Sequence, residues 1–88
     1  MKIHIAIKEH DGNKKVSLPC HNVFEIFGYK FAAHKSYPFG DKWNVSEMSS
    51  GFRVFSGFDK DYVIREAMFT IESAGQKRVK ELVTDATK

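Results

Sequence analysis

From Trp43 to Ala74 the apolar period of the chain changes once, and that change restricts the fold more than any other feature. Trp43 and Val45 alternate with Asn44 and Ser46, and after the turn signal "SSG" Phe52 and Val54 alternate with Arg53 and Phe55. A strand with one buried face shows this period of two. Past Gly57 the apolar residues Ile64, Ala67, Met68, Ile71 and Ala74 return at intervals of three and four, which gathers them on one stripe of a helix. Asp59 is placed to cap that helix through its carboxylate, and Asp61 in the first turn suits the positive end of the helix dipole. A hairpin followed at once by an amphipathic helix has to bury two apolar faces against each other, so helix must lie on sheet.

The preceding half reads as more strand. Ile3, Ile5 and Ile7 alternate with Lys2, His4, Ala6 and Lys8, and "HDGN" follows with the residue types that tolerate positive φ in tight turns. Val16, Leu18 and Cys20 then alternate with Ser17 and Pro19, and Pro19 marks an edge or an end because it cannot donate to a ladder. Residues 22–28, "NVFEIFG", could be a single helical turn capped by Asn22 and ended by Gly28 or an irregular strand, and are read as a short, irregular connection. Tyr29, Phe31 and Ala33 resume the alternation against Lys30, Ala32 and His34, and "SYPFGD" is a loop. After Gly75, Val79, Leu82, Val83 and Ala86 continue the helical period, so the final helix is either bent or broken at that glycine. The expectation is one α+β domain over residues 1–88: an antiparallel sheet of about four or five strands, with the C-terminal helix packed on one face.

Little in the chain points to catalysis. Cys20 is the only cysteine, which excludes an internal disulfide, and its neighbour His21 would point to the opposite face of a strand, badly placed to activate a thiol. His4, His10, His21 and His34 lack the close pairing of zinc ligands. "SSG" is turn chemistry, without the flanking glycines of a nucleophile elbow, and "GFRVFSG" lacks the lysine of a phosphate-binding loop. The expectation is a protein that is no enzyme and that takes neither metal nor cofactor. No apolar run approaches the roughly 18 residues of a membrane span, and the alternating N-terminus is unlike a signal peptide, so a cytoplasmic location is expected.

Charge is uneven along the chain. Six lysines against three acids give residues 1–35 the whole net charge of +3, whereas eight bases and eight acids balance in residues 36–88. Interleaving of this kind gives a weak field for polyanions. Eight Phe, three Tyr and one Trp are first of all what a small domain uses to fill its core, though some are left over beyond one sheet face. With Trp43, Val45, Phe52 and Val54 committed to the helix, Phe55 falls on the opposite face beside Arg53, where such a ring either packs under the N-terminal hairpin or joins a contact patch. Tyr37 and Phe39 lie in the loop at its rim, with Lys30 and Lys42 nearby. These six residues are the candidate partner-binding set, since aromatic and arginine side chains make the strong contacts of interfaces. Lys77, Arg78 and Lys80 form a secondary basic cluster on the last helix.

The order "KW-x-V … SG-x-R-V-F … G-F-D-K … I-x-x-A" over residues 42–75 resembles a hairpin-plus-helix unit of small phage and prophage accessory proteins. It is also similar to three-stranded DNA-binding modules of the plant ethylene-response type and of integrase arm domains, with a weaker likeness to double-stranded-RNA-binding domains. In the DNA-binding modules a Trp and an Arg-aromatic pair face DNA, and Trp43, Arg53 and Phe55 are the matching positions. Where those modules carry several sheet-face arginines, this chain has Arg53 alone among Asn44, Ser46 and Glu47. The first resemblance implies a non-catalytic inhibitor or adaptor of the anti-defence class, such as an anti-CRISPR, that docks on a host protein or nucleoprotein complex in the host cytoplasm. The alternative it leaves is a small DNA- or RNA-binding module using the open face of its three-stranded sheet. A homodimer is compatible with either.

Overall fold

The computed structural model describes residues 2–9, 12–36 and 40–86. Strands β1 (Lys2–Glu9) and β2 (Gly12–Pro19) pair antiparallel as a two-stranded sheet, with Glu9 opposite Gly12. Strands β3 (His21–Ile26), β4 (Tyr29–Lys35), β5 (Trp43–Glu47) and β6 (Arg53–Gly57) form a second, four-stranded antiparallel sheet in sequence order. Helices α1 (Lys60–Ala74) and α2 (Gln76–Ala86) follow, and α1 packs on β5 and β6. The α+β expectation holds, with six strands in two sheets among the described residues and a helix divided in two.

Residues 22–28 are the first correction. They form most of a strand and its hairpin turn, so the irregular-strand alternative is the one that holds, and neither a helical turn nor a loose connection is present. Ile26 pairs with Tyr29 across a two-residue turn in which Phe27 and Gly28 both take positive φ, 57° and 82°. That backbone matches the twist of the flanking strands, and Gly28 adopts it without a Cβ penalty. Phe27 is an unusual occupant, so the turn carries no obvious sequence signal. Asn22 is also left-handed, at φ 54°, where the register shifts between His21 and Phe24.

Cross-strand pairing sorts the side chains. Phe24, Phe31, Ala33, Val45 and Phe55 share the face that meets Val63, Ala67 and Ile71 of α1 and Val79 and Val83 of α2. Phe24 stacks on Phe31 with ring centres 5.6 Å apart. Phe55 is the second correction: it lies under the helix and not on an open face. The register pairs Val45 with Phe55 but Ser46 with Arg53, so Val54 is an extra residue in β6. A bulge resets the alternation, so Val54 and Phe55 both reach the core.

The opposite face is no open platform either. Ala32, His34, Asn44 and Ser46 are all buried there, and β2 lies against β4. His34 donates from Nδ1 to the Lys35 carbonyl at 2.9 Å, which fixes the tautomer, and the Ser46 hydroxyl donates to Nε2 at 2.8 Å. Burial, partly offset by the bond to the Lys35 carbonyl and assisted by the charge of Arg53, pushes the His34 pKa below its ordinary value.

Gly75 separates the helices. Its φ of 86° leaves the helical region, its N–H closes α1 on the Ile71 carbonyl at 3.2 Å, and its own carbonyl accepts from Val79 at 3.1 Å. One residue thus caps both helices. Asp59 occupies the start of α1 with extended backbone, but its side chain makes no capping bond, contrary to expectation. Between the helix pair and the sheet, Phe31, Phe52, Val54, Ile71, Val79 and Leu82 line an apolar cavity of about 130 Å³.

Candidate functional site

The start of β3, the end of β4, the start of β5, the end of β6 and the start of α1 meet at one end of the sheet, because antiparallel order alternates the strand directions. Trp43 opens β5 there, half-buried against the core cluster. Lys35 is its direct partner across the ladder, and its Nζ stands 4.3 Å from the centre of the indole. Lys60, the first residue of α1, places its own Nζ 5.4 Å from the same ring. The His21 ring meets the indole edge-on at 5.5 Å. Beside this group Lys42 lies over Phe58, 5.5 Å from the ring centre, and Phe58 is 76% exposed.

Two local devices hold these groups. Ser36 ties the base of the β4–β5 loop: its N–H donates to the Lys42 carbonyl at 2.8 Å, its hydroxyl donates to Asp41 at 2.8 Å, and its oxygen accepts from the Lys42 N–H at 3.2 Å. Gly57, opposite Trp43 in β6, has Val63 directly above it, which lets α1 start close to the sheet and Lys60 reach the indole. A cation over an exposed ring gains about 0.5–1 kcal/mol, enough to orient a lysine.

The electrostatics of this end are distinctive. Among the described residues none of Lys35, Lys42 and Lys60 has a carboxylate within ion-pair distance, whereas on α2 Arg78 pairs with Glu81 at 3.3 Å. Asp41 is turned to Ser36, and Asp59 and Asp61 are exposed at the helix start. The ammonium groups rest on rings, whose faces attract cations without neutralising them. Three lysines without a carboxylate partner among the described residues, beside an exposed Phe, suit an anionic surface that also offers apolar contact.

The expected site residues scatter. Lys42 belongs to the cluster. Phe55 is half-buried, its ring 6.1 Å from that of Tyr62 on α1. Arg53 and Lys30 are exposed at the other end of the sheet, where Lys30 pairs across from Glu25. Tyr37 and Phe39 lie outside the described residues. Lys77, Arg78 and Lys80 are exposed on α2, with Arg78 engaged by Glu81. Lys35, Lys60, His21 and Phe58 were missed, since only the strand register and the helix approach bring them to Trp43. The adjacency of Phe58 and Lys60 to the strand end was the one available signal.

Other chemistry is sparse. His34 and Ser46 have the bonding of a base and a nucleophile, yet each is only 1% exposed, so no substrate reaches the hydroxyl in this conformation. Among the described residues no three His, Cys, Asp or Glu side chains gather as a metal site, and no helix is long and apolar enough to cross a membrane. No protein-family model matches the chain, and comparison with curated proteins and with solved structures finds no similar one.

Proposed function

We propose that this protein is a non-catalytic binding protein that docks the Trp43 end of its sheet on an acidic surface of a partner protein or nucleoprotein complex, and blocks or adapts it. The observation that carries this reading is the set of Lys35, Lys42 and Lys60, held by the rings of Trp43 and Phe58 and left without carboxylate partners among the described residues. Gathering like charges costs energy in the free protein, and an anionic partner removes that cost on binding. Phe58 supplies the aromatic contact on which such an interface centres. The likeness of residues 42–75 to phage accessory proteins supports an anti-defence role in a host cytoplasm. The buried centre of the sheet face opposite the helices weighs against the DNA-module alternative, which needs that face open.

The test is capture of partners from host lysate by wild type and by a Lys35→Glu, Lys42→Glu double variant, beside titration of generic duplex DNA at two salt concentrations. Wild type should retain a defined protein partner that the variant loses, since each interfacial charge reversal costs on the order of tenfold in affinity or more. DNA binding should be weak and non-specific. Tight DNA binding that falls steeply with salt and weakens with both lysine changes would replace this reading with a nucleic-acid one.

A further inference from the structure

The apolar cavity between the helix pair and the sheet lies at the end of the fold remote from Trp43. Phe31, on its wall, pairs with Glu47 at the last position of β5, whereas Trp43 pairs with Lys35 at the first. The floor of the cavity is buried, formed by Phe31, Ile71, Val79 and Val83. Its mouth is on α1, where Thr70 and Ala74 are exposed. Protein interiors pack with few gaps larger than a water molecule, so about 130 Å³ is a large space for the thin core of a small domain.

The chemistry of the walls decides what this space can hold. Thr70 carries the one polar side chain of the lining, and its hydroxyl donates to the Glu66 carbonyl at 2.8 Å. A water needs about two to four polar partners and does not find them there. A charged or hydrogen-bonding ligand would lose its hydration without replacement. An apolar ligand loses nothing of that kind, and each wall atom gains a contact. α2 supplies Val79 and Val83 to the wall, so a molecule in the cavity joins that helix to α1 and to the sheet.

We propose that this cavity is a binding site for a small, uncharged, apolar molecule. The size follows from the volume: an engineered apolar cavity of about 150 Å³ takes up benzene, so the ligand is of about one ring or an equivalent branched chain. An affinity of about millimolar is what so few apolar carbons can supply. The site shares no residue with the lysine cluster at the Trp43 end, and its occupation is independent of the docking proposed above.

Titration of the protein with benzene, followed by NMR of the side-chain methyl groups and by thermal denaturation, tests the proposal. The methyl resonances of Ile71, Val79 and Val83 should shift together and saturate. Tm should rise by about 5 °C or more at a benzene concentration about ten times Kd. Pyrimidine, a ring of the same size with nitrogens to desolvate, should bind about tenfold more weakly or not at all. Ala74→Leu at the mouth and Val83→Leu on the floor should each weaken benzene binding about tenfold by occupying the space, with circular dichroism unchanged. The absence of a saturable shift in wild type overturns the proposal and leaves the cavity a packing defect. Benzene that lowers Tm, pyrimidine that binds as well as benzene, or benzene binding that survives both substitutions overturns it equally.

Discussion

Gly57→Ala is a sharp test of how α1 is seated. A Cβ built on Gly57 stands 2.9 Å from Cγ2 of Val63, where two carbons normally rest about 3.5–4.0 Å apart. Val63 is fully buried and β-branched, and such side chains keep one strongly preferred rotamer in a helix, so Cγ2 has no easy retreat. The helix must lift instead, which loosens Ala67 and Ile71 on the same stripe. Overpacking of this kind costs about 1–3 kcal/mol. Against it stands the lower chain entropy of unfolded Ala, about 0.4–1 kcal/mol, which applies because Gly57 is not in the left-handed region. The clash wins by about 1–2 kcal/mol. In a domain of this size that lowers Tm by about 5–15 °C, read by thermal and urea denaturation monitored by circular dichroism. Val63→Ala removes the offending methyl, so the double variant should be more stable than the two single effects sum to, with a coupling of about 1 kcal/mol. A neutral or stabilising Gly57→Ala, or strict additivity, would refute the close seating of α1 on β6.

Two further outcomes follow from buried polar groups. The pKa of His34 is lowered by burial, so the unfolded chain binds more protons: its contribution is whole above the ordinary histidine range and is lost as pH falls through and below that range. Tm should drop over that interval, and the drop should shrink in His34→Gln; an equal drop in both would assign it to another group. Glu47, 2% exposed, accepts from the Ser49 N–H, the Ser49 hydroxyl and the Ser50 N–H, closing the β5–β6 turn. Glu47→Ala should cost about 2–3 kcal/mol in urea denaturation, since it strands these donors, and Glu47→Gln should cost less; equal losses would mean that packing and not acceptance matters.

The sequence alone determined the layer arrangement, because burial obliges a period-two hairpin and a period-3.6 stripe to face each other. It also singled out Gly75 as the place where the last helix bends or breaks, and the structure shows the break, where a backbone without Cβ adopts positive φ at little cost. What it could not determine were matters of phase and distance. One extra residue at Val54 moved Phe55 from the opposite sheet face to the helix-covered one, half-buried against the core, since alternation carries no memory of a bulge. The β3 hairpin hid behind Phe27, a residue type that seldom takes positive φ. The lysine cluster drew Lys35, Lys42 and Lys60 from three separate segments to rings that only register and helix seating place beside them. Local pattern decides which residues are buried together. Contacts between strand ends depend on long-range pairing, and that is written in no single stretch of the chain.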